Sequence, residues 1–204
     1  MKYQMDSLRL LNGIEYLTVT SPDTGKIWLD RNLGASQVCT SSTDSSCYGN
    51  LYQWGRNDDG HESSSTTTVT RASNINPGHA NFITQTDWTT VDSSGADRSS
   101  AWADGGTNDI CPAGFRVPTK TELEDDTTDV TNSASAFSSF LKLPSAGYRH
   151  YSSGSIAAGG SSGLYWSSTT PSPNYGYYLL FGSSITSFPS TVYGHGFSVR
   201  CIKD

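Results

Sequence analysis

A chain of 204 residues is the size of one large domain or two small ones, can bury a core by itself without a metal or a partner, and is not a large machine. Hydrophobic residues make up 34% and charged residues 16%, while Ser (33), Thr (23) and Gly (20) fill 76 positions, a balance poor in helix formers. A net charge of -6, with 13 basic residues spread along the chain, argues against a nucleic-acid partner, and no window approaches an apolar membrane span, so no membrane insertion is expected.

The start, MKYQMDSLRLLNG, lacks the apolar stretch and small-residue cleavage site of a secretory signal. That leaves open a cytoplasmic product, a processed or shortened chain, or a virion component that reaches the outside without secretion. Residues 13–33 alternate like a two-stranded ribbon, with Ile14, Tyr16 and Thr18 on one face, the turn at residues 21–25 and a return over 26–30. Four cysteines (Cys39, Cys47, Cys111, Cys201) show no C-x-x-C and no His at ligand spacing, which fits two disulfides better than zinc. The polar loop between Cys39 and Cys47 is too short to pack by itself, so a local bridge is expected there, with a reduced pair as the alternative.

Residues 57–108 are mostly Ser, Thr, Asn, Asp and Gly and read as one irregular insertion pinned by Phe82, Trp88 and Trp102. Two short helices follow. Thr119 and Glu122 have capping-box spacing, so Glu122, Glu124, Asp125 and Asp126 favour the positive end of a helix, with a metal site as the sharper alternative. Over 133–143, Ala136, Phe137, Phe140 and Leu141 recur at helical spacing before Pro144, and the aromatics are assigned to the core.

Between Arg149 and Arg200 lie 50 consecutive residues without Asp, Glu, Lys or Arg, including 13 Ser, 8 Gly and 6 Tyr. Rigid amphipathic rings among small polar groups are the composition of an adaptable recognition surface, and the plainer reading is a polar β-rich face that merely lacks charge. Strands are expected over 163–168, 175–181 and 196–202, with loops between. In the middle strand Leu179 and Phe181 are assigned to the core, and the outward set, with segments 169–174 and 182–195, to a continuous uncharged patch.

Several blocks resemble the Fibrobacter succinogenes major paralogous domain in order along nearly the whole chain: TGKIWLDRNLGA (24–35), YGNLYQWGR (48–56), PGHANFI (77–83), CPAGFRVPT (111–119), LPSAGYR (143–149), YWSST (165–169) and GFSVRCIKD (196–204). The resemblance implies one α+β domain over 1–204 with the C-type-lectin-like fold of formylglycine-generating enzymes, built from two short helices, small antiparallel sheets and long irregular loops. It also implies a structural Cys111–Cys201 bridge. One group with this architecture is the variable proteins of diversity-generating retroelements, including those of archaeal viruses. There, copying errors at adenines turn Asn codons into codons that never specify Lys, Glu, Gln, Met or Trp, and residues 167–202 contain none of these five types.

The resemblance thus implies a variable region at about 165–202. The residues expected to contact ligand are Ser172, Asn174, Tyr175, Tyr177, Tyr178, Leu180, Ile185, Ser187, Ser190, Val192, Tyr193 and His195, with Tyr177 turned inward by strict alternation. The partner expected is an unidentified protein or glycan on a cell surface, with the chain displayed on a virion or cell surface; oligomeric state is not readable. No enzyme activity is expected: formylglycine generation needs a spare thiol, and the four His are scattered. No cofactor or metal is expected, since calcium-dependent sugar binding would need a Glu-Pro-Asn or Gln-Pro-Asp loop and Trp-Asn-Asp, where this chain has Trp166-Ser167-Ser168. The alternatives are a non-diversified adhesin and a calcium-independent glycan site on Tyr175, Tyr178 and Tyr193.

Overall fold

Asn12 and Gly13 both adopt positive φ (49° and 79°), the mirror-image turn geometry that suits strand twist, and join β1 (Arg9–Leu11) to β2 (Ile14–Tyr16). A second hairpin follows, β3 (Thr18–Thr20) with β4 (Ile27–Leu29), Val19 opposite Trp28. Its turn is held by Ser21, whose Oγ accepts from the amides of Asp23 (3.2 Å) and Thr24 (3.1 Å). The ribbon expected over 13–33 is therefore two hairpins, divided at Leu17.

The computed structural model describes residues 9–204, so of the opening segment read for a signal, residues 1–8 lie outside the described residues. Further along the chain come β5 (Tyr52–Gln53), β6 (Thr67–Thr68), β7 (Phe82–Ile83), α1 (Ala96–Ala101), β8 (Phe115–Arg116), α2 (Lys120–Asp125), α3 (Ser133–Ser138), β9 (Tyr148–Arg149) and β10 (Ile156–Ala157). Then come β11 (Gly163–Trp166), β12 (Tyr175–Phe181), β13 (Thr186–Ser187), β14 (Ser190–Val192), β15 (Gly196–Phe197) and β16 (Ile202–Lys203). The architecture is α+β. Three antiparallel sheets carry it, in the orders β3-β4-β16-β8, β10-β9-β15-β5 and β11-β12-β13, with β14 also on β12.

These sheets enclose two apolar clusters. One gathers Trp54, Trp88, Trp102, Trp166, Tyr193 and Phe197, the other Trp28, Leu141, Tyr165, Leu179, Phe181 and Ile202. All five tryptophans are fully buried, and each indole N–H is satisfied, for example Trp54 by the Ser167 carbonyl (2.8 Å) and Trp28 by Asp126 (2.7 Å). Strand β12 divides the clusters: Leu179 and Phe181 belong to the second, while Tyr178 and Leu180 lean on the first. Gly176 is needed at this seam, because a Cβ there would stand 2.7 Å from the Trp54 indole.

The insertion at 57–108 is pinned as expected by Phe82, Trp88 and Trp102, all inaccessible to solvent, but it also contains α1 and the parallel pair β6–β7, neither of which its composition announces. Helix α2 begins with the expected capping box, the Thr119 hydroxyl accepting from the Glu122 amide and the Glu122 carboxylate from the Thr119 amide. Helix α3 is shorter than its pattern. Ser139 turns extended, so the helix ends at Ser138, and Phe137 and Phe140 are only half-buried while Ala136 and Leu141 fill the core. The strand expected over 196–202 is split. Between β15 and β16 the chain changes neighbours, with Ser198 bonding Leu164, and Val199 and Cys201 accepting from the amides of Leu33 and Leu29.

Both disulfides are present, Cys39–Cys47 and Cys111–Cys201, and no cysteine is free. Among the described residues no helix is long and apolar enough to cross a membrane. Bridged cysteines fit an oxidising, extracellular setting.

Candidate functional site

The twelve expected contact residues do not form one continuous uncharged patch. Directly opposed residues of antiparallel strands share a face, so Tyr175 and Val192 lie with Tyr177 and Ser190 on one side of β12, and Tyr178 lies with Leu180 and Ser187 on the other. The first side is not charge-free: the Lys120 ammonium of α2 sits 5.2 Å from the Tyr177 ring and 5.7 Å from that of Phe188. Ser172, Tyr175, Ile185 and Ser190 are exposed, and Asn174, Tyr177, Tyr178, Leu180, Ser187, Val192 and His195 are half-buried. The segment expected to be loop over 182–195 supplies β13 and β14.

Tyr193 is a correction. Its ring is fully buried, stacked on Trp54 at 4.3 Å with the Arg98 guanidinium 4.4 Å from the ring centre, and its hydroxyl shares a hydrogen bond with Thr170 (2.9 Å). It completes the core between an indole and a buried cation, so it is not available to a ligand and cannot serve the glycan site drawn with Tyr175 and Tyr178.

What the fold does assemble is a run of rings on the other side. Trp166 and Phe197, stacked at 4.1 Å and buried, make a floor. On it rest Tyr178 (4.7 Å from Phe197), His195 (5.4 Å) and Tyr148 (6.2 Å), and the run continues through His150 and Tyr151, which lie 5.2 and 4.9 Å from His195. Tyr148, His150, Tyr151, Tyr178 and His195 are all half-buried. The pairing of Arg149 with Gly196 brings the 148–151 segment beside Tyr178 and His195. Burial pushes His195 down to about 4, His150 adding to the effect and the Arg149 carbonyl opposing it, so this ring is neutral at physiological pH.

Sequence reasoning placed Tyr178 and His195 in the recognition set but missed Tyr148, His150 and Tyr151. The charge-free run already included His150 and Tyr151, and the strand signal of Tyr148 and Arg149 was too short to read.

The insertion holds a three-residue group with cation-ligating atoms, Asp59, His61 and Glu62. Its hydrogen bonds do not fit a metal. The Gln53 amide donates to His61 Nε2 (3.0 Å), which leaves the ring proton on Nδ1, and that proton is given to Asp59 Oδ1 at 2.8 Å. Asp59 is also clamped by Arg56 (2.9 Å), and burial holds His61 down at about 4. Three of the four acidic residues expected at the positive end of α2 are likewise engaged, Glu122 by Arg116 (2.8 Å), Glu124 by Lys120, and the C-cap Asp126 by Ser21 (2.6 Å), Thr24 (2.7 Å) and Trp28 (2.7 Å), while Asp125 is exposed; only Glu122 lies in the first turn.

Glu62 differs, because its buried Oε2 has no hydrogen-bond partner. Burial first, and then the neighbouring Asp58 carboxylate, hold its carboxyl up at about 7. The folded state therefore binds this proton more tightly than the unfolded chain. The stability so gained is full below the ordinary glutamate value of about 4.3 and is lost as pH rises through about 7. Glu62→Gln, which cannot ionise, is expected to raise unfolding free energy by about 1–2 kcal/mol at pH 8 after allowance for solvent screening, and to change little at pH 4. Urea titrations at the two pH values check this.

Compared with protein-family models, with curated proteins and with solved structures, the chain finds no match in any of the three.

Proposed function

We propose that this chain is a ligand-binding protein, not an enzyme, whose C-terminal third displays a recognition surface to a protein or glycan on a cell surface. The observation that carries the reading is the run of five half-exposed rings, Tyr148, His150, Tyr151, Tyr178 and His195, on a rigid indole and phenyl floor, the last four within 50 residues that lack charged side chains. Such rings offer contact area and hydrogen bonding at low conformational cost. The frame in this reading is C-type-lectin-like and the chain a variable protein of a diversity-generating retroelement, exposed on a virion or a cell. Its support is the block pattern along the sequence, the Cys111–Cys201 bridge and the absence of Lys, Glu, Gln, Met and Trp from residues 167–202.

The genomic test is direct. A second, nearly identical copy of the DNA for residues 165–204 beside a reverse-transcriptase gene, differing at template adenines, is expected. A complete source genome without one would leave a non-diversified adhesin. At the protein level, Ser190→Tyr on the exposed face is expected to cost under about 0.5 kcal/mol, and Tyr193→Ala about 3–5 kcal/mol. Equal losses in thermal unfolding would contradict a division between frame and face.

A calcium-independent glycan reading is favoured by one feature, the half-buried His150 and Tyr151 rings stacked at 4.8 Å. A glycan array decides between the readings. Binding lost in both Tyr151→Ala and Tyr178→Ala supports the glycan reading, and binding absent or unchanged in both removes it.

A further inference from the structure

Successive side chains of β9 point to opposite sides. Tyr148 joins the ring run, while Arg149 lines a cavity of about 380 Å³ whose polar wall includes Asn50, Glu62, Ser63, Ser64 and Ser65. Arg149 is 5% exposed. Its Nε donates to the Gly154 carbonyl (2.8 Å) and its Nη1 to those of His61 (3.2 Å) and Ser64 (2.6 Å), and the guanidinium lies 4.1 Å from the Phe82 ring centre. Among the described residues it has no ion pair, and its Nη2 has no hydrogen-bond partner. That nitrogen sits beside Gly154, which belongs to the same cavity wall: a Cβ built there would be 3.6 Å from it.

Buried charges are ordinarily paired, and this cation has only carbonyl dipoles and a ring, with one nitrogen unspent. Of the other buried arginines, Arg56 has Asp59 and Arg98 has Asp87 and Asp92, while Arg200 has no ion pair but spends all three nitrogens on Asn32 Oδ1 and the Leu29 and Leu141 carbonyls. Arg149 differs from them in keeping Nη2 unspent beside the cavity wall, and that nitrogen, on a cation with no counter-charge, points to a ligand. One cation balances one negative charge, whereas a phosphate dianion would leave a charge uncompensated next to the Glu62 carboxyl. The neighbouring amide and hydroxyls of Asn50, Ser63 and Ser65 suit alcohol groups, and the volume is at the small end of ligand pockets.

We propose that this cavity binds a small hydroxylated monocarboxylate, its carboxylate on Arg149 Nη2 and its hydroxyls on Asn50 and the serines of residues 63–65. The site lies on the far side of β9 from the ring run and does not depend on what that run recognises.

Isothermal titration of the full chain with sodium gluconate, glucose, acetate and inorganic phosphate tests it. Gluconate is expected to bind with a Kd on the order of 1 mM, and the other three at least about tenfold more weakly. Arg149→Met is expected to weaken gluconate at least about tenfold. Because Arg149 also ties three carbonyls together, Ser65→Trp, at the exposed rim, provides a second variant that fills the mouth without touching the frame. Its melting transition should match that of the parent, and its gluconate affinity should fall by a similar factor. No gluconate binding, equal affinity for glucose or phosphate, or unchanged binding in a folded Ser65→Trp variant would overturn the assignment.

Discussion

Cys111→Ser is expected to lower the unfolding free energy by about 4–5 kcal/mol. The bridge joins residues 90 apart in sequence, and the chain entropy it removes from the unfolded state grows with the logarithm of that separation. By the same relation Cys39→Ser, whose bridge spans 8 residues, is expected to cost about 2.5 kcal/mol. The long bridge also anchors the C-terminal strand: Cys201 precedes Ile202, which pairs with Trp28 on one side and Arg116 on the other. Non-reducing urea unfolding of both variants measures the difference. Equal losses would show that the closed loop is not what sets the effect.

Arg98→Met is expected to cost about 3–5 kcal/mol, the range for breaking a buried ion pair from one side. Arg98 is fully buried, bonds both oxygens of Asp87 (2.6 and 3.2 Å) and the Asp92 carboxylate (3.2 Å), and lies over the rings of Trp88 (5.1 Å) and Tyr193 (4.4 Å). Methionine keeps most of the volume but leaves the Asp87 carboxylate with Arg71 at 3.6 Å as its one cation and the Thr89 amide (3.2 Å) as its hydrogen-bond donor. The double variant Arg98→Met with Asp87→Leu is expected to recover part of the loss, because the Asp87 charge leaves with its partner and Asp92 still accepts from the backbone amides of residues 97 and 98. A double variant as unstable as the sum of its parts would assign the cost to packing over the two rings instead.

The sequence was legible where one residue type has one physical job. Thr119 and Glu122 announced their capping box, Leu179 and Phe181 their buried side of β12, and Phe82, Trp88 and Trp102 the anchoring of a polar insertion. It was illegible where pairing partners are distant. Strands such as β13, β14 and β15 are two or three residues long and exist because β12 and β5 lie alongside them, which no local pattern records. Tyr193 was misread for the same reason. Its strand neighbours are half-exposed, but Trp54 and Arg98, 139 and 95 residues earlier in the chain, close over its ring. The ring run was half legible, since the unbroken absence of charge marked its region but only the pairing of Arg149 with Gly196 brings its two halves together.

Strand β16 lies between β4 and β8, so residues 202–203 complete a sheet begun at residues 18–29. During synthesis that sheet stays open, and Cys111 has no partner, until the codon for Cys201 has been read and its residue has cleared the ribosome. A frameshift or stop anywhere upstream yields a product that cannot close its frame and is left to proteolysis. Closing that sheet and its bridge therefore requires translation in register through the ring-bearing segment.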